Sequence, residues 1–180
     1  MTKEQKNLRL TLTLAMLTAI SIILGKYLAI RGGDVMRFSL ENMPIIFAGM
    51  AFGPLAGGLV GCVSDLVGCV MVGYTINPTV TIGAAVIGVI SGLVPHLLKK
   101  CSLDERLVTV ITVAFSHLLG SLIIKTLGLA AYYDMPFLVL LLWRALNYVI
   151  VGVLDGLTVH ILLHNKGIKM QINALREDGK

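Results

Sequence analysis

Five of the fifteen Lys and Arg residues in this 180-residue chain sit within or between long apolar segments: Lys26, Arg31, Arg37, Lys125 and Arg144. A cation held mid-span in a bilayer costs roughly 2.5–3.5 kcal/mol, so a group of them needs compensating negative charge. The chemistry open to them is anion capture. A guanidinium bonds two carboxylate oxygens at once through its planar fork, and an ammonium offers three donors. Tyr74, Asn77, Tyr132, Tyr133, Trp143 and Tyr148 add aromatic and amide groups at the same level. They suit a flat heteroaromatic ring, although an interfacial aromatic belt would use the same residue types.

The cations are not equivalent. Arg144 lies about two turns into an apolar segment, with Asn147 and Tyr148 on its face at i+3 and i+4 and Asp155 returning to that face. Such a stripe is expected to face the interior of a bundle. It can serve a ligand, or Arg144 can form an internal pair, for example with Asp65. Arg31 and Arg37 bracket a polar stretch around Asp34 and can equally be solvated loop residues. Lys125 can snorkel to an interface. Lys26, eleven residues after Ala15 and so on its helical face, is expected to snorkel as well. That leaves Arg31, Arg37, Lys125 and Arg144 as ligand candidates.

The elements that must position these residues follow from composition. The chain is 56% hydrophobic and 14% charged, with mean hydropathy +0.87, which indicates an all-α polytopic membrane protein. A spanning helix needs about 20 apolar residues, so one six-helix domain is expected over residues 1–180. The expected spans are Leu10–Ile30, a short Leu40–Phe52, Leu55–Val72, Thr79–Leu98, Leu107–Leu129 and Phe137–Leu163, followed by a basic polar tail. The first apolar run has no A-x-A-like cleavage site and is expected to be a retained helix.

Six spans place both termini on one side. Ten of the fifteen cations lie there, at Lys3, Lys6, Arg9, Lys99, Lys100, Arg106, Lys166, Lys169, Arg176 and Lys180, so this side is expected to be cytoplasmic. The connections 31–39, 73–78 and 129–136 then face outward.

Small residues recur at four-residue spacing: Ala15 and Ala19, Gly57 and Gly61, Ala84, Gly88 and Gly92, and Gly152 and Gly156. Such stripes allow close helix approach, either inside one bundle or against another membrane subunit. Other chemistry is missing. There is no G-x-x-x-x-G-K-[ST] phosphate loop, H-E-x-x-H or G-x-S-x-G motif. Ser116 and His117 are adjacent and so diverge on a helix, and the three cysteines form no disulfide or metal pattern. No cofactor is expected. An intramembrane enzyme using Asp65, His117 or Asp155, or a scaffold without ligand, are the rival readings.

These residues resemble the S components of energy-coupling factor (ECF) vitamin transporters, over essentially the whole chain and most closely the folate family. The likeness is carried by Arg37-Phe38-Ser39-Leu40-Glu41-Asn42-Met43-Pro44, by Phe52-Gly53-Pro54-Leu55 with Gly57, Gly61 and Asp65, and by Tyr74-Thr75-Ile76-Asn77-Pro78 with Thr81 and Gly83-Ala84-Ala85. The resemblance implies high-affinity vitamin capture from outside and docking on a transmembrane coupling protein with two ATPase subunits. It also implies toppling of the whole subunit in a bacterial plasma membrane to deliver the ligand. The family's A-x-x-x-A docking motif matches Ala15 and Ala19. For a folate ligand, Arg31, Arg37, Lys125 and Arg144 would divide between its glutamate tail and internal pairing, and Tyr74, Asn77, Asn147 and Tyr148 would meet the pterin ring. An S component for another vitamin is the alternative.

Overall fold

The computed structural model describes residues 2–32, 36–101 and 103–176; the side chains of residues 31, 32, 36, 37 and 176 lie outside that description. Eight α-helices account for most of the chain: α1 Lys3–Ile22, α2 Asn42–Phe52, α3 Pro54–Val72, α4 Pro78–Leu98, α5 Glu105–Ser116, α6 Lys125–Tyr133, α7 Phe137–His164 and α8 Lys166–Arg176. Two π-helical segments, Ile23–Tyr27 and His117–Ile124, extend α1 and join α5 to α6. Five continuous helices, Lys3–Tyr27, Pro54–Val72, Pro78–Leu98, Glu105–Tyr133 and Phe137–His164, are long and apolar enough to cross a membrane, and α2 is a shorter apolar helix beside them.

Local chemistry sets the ends. Thr2 and Gln5 form a reciprocal capping box, so α1 starts seven residues before the apolar run that announces it. The Asn77 side chain accepts from the Thr79 N–H at 3.0 Å, with Pro78 opening α4. Asp134, in the left-handed region at φ 51°, ends α6 one turn beyond the sequence expectation. Tyr132 and Tyr133 therefore belong to its last helical turn rather than to a loop. The polar stretch after α1 forms a small antiparallel hairpin, β1 Ile30–Gly32 with β2 Met36–Phe38, that pairs Arg31 with Arg37.

The C-terminal segment corrects the expectation of a polar tail. Residues 166–176 form α8, which turns Ile172 into the core and lays Ile168 against it. Its apolar positions at i and i+4 were too few to stand out among Lys166, Lys169 and Gln171.

Helix α2 explains the architecture. At 11 residues it is only about 16 Å long, too short for the ~30 Å hydrocarbon core. It is apolar nearly all round, and Ile45, Ile46, Ala48 and Ala51 are fully enclosed by α1, α3, α4, α7 and α8. Because α2 stops short, the longer helices around it leave a space beyond its N-terminal residues Glu41 and Asn42.

Helices α3 and α4 make the closest approach. A Cβ added at Gly57 would strike the Gly88 carbonyl, one at Gly88 the Gly57 carbonyl, and one at Gly61 the Ala84 carbonyl. The sequence stripes on α3 and α4 are thus two halves of one internal contact. The stripe on α1 differs: Ala15 and Ala19 are exposed.

Gly88→Val should force α3 and α4 apart and lower stability by about 1–3 kcal/mol or more. Gly152→Ala, whose new Cβ would meet nothing nearer than 3.7 Å, should leave the Tm in detergent nearly unchanged. Equal responses from the two variants would remove the α3–α4 contact from its structural role.

Candidate functional site

The space beyond α2 is a cavity of about 480 Å³, lined on the loop side by Ser39, Gly73, Tyr74 and Thr75 and by Tyr132 and Tyr133 at the end of α6. Its size falls within the ~300–1,000 Å³ usual for small-molecule sites. The lower wall of α7 contributes Arg144, Asn147, Tyr148 and Val151, and α2 contributes Glu41 and Asn42. Lys26, Asp65, Cys69 and Lys125 close the sides. Tyr74, Tyr132 and Tyr133 are partly exposed around the opening, the last two in an edge-to-face contact with ring centres 5.2 Å apart.

Two lysines in this wall are already neutralised. Lys26 pairs with Asp65 at 3.8 Å and Lys125 with Glu41 at 3.2 Å, and both lysine side chains are almost fully buried. Asp65 also accepts a 2.7 Å hydrogen bond from the Thr81 hydroxyl. All four charged groups line one small void of about 10 Å³, so the two pairs form a single cluster. Glycines make room for the lysine stems. A Cβ at Gly68 would lie 2.7 Å from Lys26 Cε, and one at Gly83 would lie 2.6 Å from Lys125 Cγ.

Lys26 is therefore not a snorkelling residue. The π-helical end of α1 turns it inward to meet Asp65, and its ammonium lies 5.9 Å from the centre of the Tyr74 ring. This pairing also replaces the suggested Arg144–Asp65 contact.

Arg144 is different. It donates to the Tyr148 hydroxyl at 2.6 Å and to the Ser121 carbonyl at 3.5 Å, with its guanidinium carbon 5.2 Å from the Tyr148 ring centre. No carboxylate lies within ion-pair distance of it among the described residues. Its buried Nε has no hydrogen-bond partner there either. The arrangement is a half-buried guanidinium in a cavity wall, held on one side and available to an anion on the other.

Behind the cavity wall runs a chain of buried polar groups. Lys125 Nζ reaches Asn42 Oδ1 at 3.4 Å, and Asn42 Nδ2 reaches Ser121 Oγ at 3.5 Å. Ser121 Oγ is 3.3 Å from His117 Nδ1, and His117 Nε2 is 3.0 Å from Asp155 Oδ2. With Asp155 ionised, every donor in the chain points the same way, from ammonium to carboxylate. Ser, His and Asp in this order match the roles of a hydrolytic triad. Ser121 and Asp155 are 0% exposed, however, and Ser121 Oγ already accepts from Asn42, so no substrate carbonyl can approach it.

Of the residues selected from sequence, Tyr74, Lys125, Arg144, Asn147 and Tyr148 line the cavity. Asn77 does not: its amide donates to the Gly128 carbonyl at 2.9 Å while its oxygen caps α4. The side chains of Arg31 and Arg37 lie outside the described residues, as does Asp34 altogether. The backbone of β2 packs against α7, the helix that carries Arg144. Sequence reasoning passed over Lys26, Glu41 and Asn42 as wall residues. The available signal was that Glu41 and Asp65, acids inside apolar segments, need cations as much as the cations need them.

Residues 5–169 match the family model described as ECF-type riboflavin transporter, S component. The folate transporter FolT of Clostridium novyi (strain NT) is 26% identical over 113 residues, 59% of this chain and 64% of the relative, so the chain spans under two thirds of that relative's length. The crystal structure of FolT bound with folic acid superposes with TM-score 0.67 and 21% identity, covering 83% of this chain and 89% of that one. The S-component for biotin from an ECF-type ABC transporter superposes with TM-score 0.69 and 20% identity, covering 94% and 98%. The structural likenesses establish a shared fold.

Removing one partner of the Lys26–Asp65 pair strands a buried charge. Asp65→Ala should destabilise by about 3 kcal/mol, the low end for such a loss because both groups line a cavity. Adding Lys26→Met should recover most of it, as read by thermal unfolding in detergent. If the double variant is no more stable than Asp65→Ala, the pair is not what stabilises this wall.

Proposed function

The chain belongs to the family of ECF-type transporter S components, and from that premise we propose that it is the folate-binding subunit of its transporter. An S component is a substrate-binding membrane subunit that docks on an energy-coupling module; it is not an enzyme. The observation that carries the choice of ligand is Arg144, the cavity cation without a carboxylate partner among the described residues. Riboflavin has no carboxylate and biotin has one, whereas the glutamate tail of folate has two. The tyrosines around the cavity, Tyr74, Tyr132, Tyr133 and Tyr148, favour a flat aromatic ligand. Of these three vitamins, folate alone combines carboxylates with a flat ring, and a folate transporter is among the curated relatives of the chain.

In this reading Arg144 holds the tail, with Arg31 and Arg37 in the adjoining hairpin as further candidates. Tyr74 and Tyr148 stack on the pterin, and Asn147 with Asp65 meets its amide and amino edge. Lys125, matched by Glu41, keeps the wall neutral rather than binding ligand. The open end of the cavity faces outward, and both termini lie on the cytoplasmic side of a bacterial plasma membrane. The exposed Ala15 and Ala19 offer a low ridge on α1 for the transmembrane coupling protein, which carries two ATPase subunits.

Radiolabelled folate should bind the purified protein with nanomolar affinity, about −12 kcal/mol, and neither riboflavin nor biotin should displace it. Arg144→Ala should weaken binding at least tenfold, about 1.4 kcal/mol. Displacement by riboflavin or biotin, or no saturable folate binding, overturns the ligand assignment.

Replacing Ala15 and Ala19 with Trp should abolish folate uptake by the assembled transporter and leave binding to the isolated subunit intact. Normal uptake by this variant would place the docking face elsewhere.

A further inference from the structure

The buried pair His117–Asp155 is costly and does nothing obvious for the bundle. Asp155 is 0% exposed, its Oδ2 meets His117, and its Oδ1 has no hydrogen-bond partner among the described residues. An ionisable group left half-satisfied in an apolar interior lowers stability relative to an apolar residue of similar size. What the pair does touch leads to the cavity. The ring of His117 packs against the ring of Tyr148, with centres 5.4 Å apart at 35°. Its Nδ1 lies 3.3 Å from the Ser121 hydroxyl. Tyr148 and Ser121 are also the two residues that hold Arg144.

The local backbone fits this role. His117 and Ser121 lie in the π-helical segment between α5 and α6, where the Lys125 N–H bonds the Gly120 carbonyl five residues back. Such wide turns displace carbonyls from the regular helical ladder, and the Ser121 carbonyl accepts from Arg144 and from the Thr126 hydroxyl. Opposite His117 stands Gly152 of α7, where an added Cβ would come no nearer than 3.7 Å to the imidazole. The ring is thus fixed at one edge by Asp155 and at the other by Ser121, with one face against Tyr148.

We propose that His117 and Asp155 are positioning residues for the anion site: by fixing Ser121 and Tyr148, they aim the Arg144 guanidinium into the cavity. The inference rests on the reading that Arg144 holds the carboxylates of the ligand. Neither His117 nor Asp155 lines the cavity, so neither touches the ligand itself.

The experiment is a double-mutant cycle read with two probes, folate and 6-hydroxymethylpterin, which has the ring but no carboxylate. Asp155→Asn should weaken folate binding about tenfold and leave the affinity for 6-hydroxymethylpterin within twofold of the parent. In the Arg144→Ala background, Asp155→Asn should have no further effect on folate, because groups acting through one another are not additive. His117→Gln provides a second entry to the same cycle and should behave alike; it serves if Asp155→Asn does not fold. Equal losses for both probes, or full additivity with Arg144→Ala, would mean that the pair merely supports the fold, and the proposal fails. Unchanged folate affinity in Arg144→Ala itself would instead defeat the assignment of Arg144, an outcome distinct from additivity.

Discussion

Charge in an apolar slab has to be matched, and most of what surrounds the cavity follows from how this chain matches it. Lys26 and Asp65 tie the end of α1 to α3, and Lys125 and Glu41 tie α6 to the start of α2. Two such contacts bring α1, α2, α3 and α6 together around a common space. Each pair demands room for a lysine stem, which Gly68 and Gly83 supply. Once Lys26 and Lys125 are neutralised from within, Arg144 is left without a described carboxylate. The candidate site is, in this sense, the remainder of an internal charge balance, which the anionic ligand of the proposed function would complete.

The cavity also depends on a helix that is too short. Helix α2 fills only half the bundle, and its apolar circumference is satisfied by protein rather than lipid. The glycine-lined contact of α3 with α4 lets the surrounding helices close behind it without collapsing into the space beyond its N-terminus. Close packing thus concentrates where α2, α3 and α4 meet, while the cavity occupies the end where packing stops. The ends of the neighbouring helices supply polar groups there at little cost, because a ligand or water can reach them.

Much of this was legible in the chain. The order and approximate limits of the apolar helices were, because about 20 apolar residues in a row have few alternatives in a bilayer. So were Lys125, Arg144, Asn147 and Tyr148 as residues lining one cavity, because polar residues on apolar helices turn inward. Asn77 looked like a ligand group, but an Asn before a Pro-initiated helix is equally a cap, and local hydrogen bonding decided it. Lys26 looked free to reach an interface because spacing assumed 3.6 residues per turn throughout, and the π-helical end of α1 changes the direction in which it points. Helix α8 was hidden because an isolated short amphipathic segment carries a weak pattern, and its order comes from docking Ile172 into the core.

Composition and periodicity alone establish a helical membrane protein with an excess of cations at one level, since hydropathy and charge are properties of residues in order. They also carry the family likeness, since that rests on contiguous stretches such as 37–44 and 74–78. Pairing is a property of residues far apart in the chain. Whether Arg144 or Lys26 faces Asp65, whether Lys125 meets Glu41, and whether His117 finds Ser116, Ser121 or Asp155 depend on helix crossing, on the phase shifts of two π-helical segments and on where glycines let backbones or stems through. Those distances exist only in the folded bundle, because attraction between charges in a low dielectric acts through space and not along the sequence.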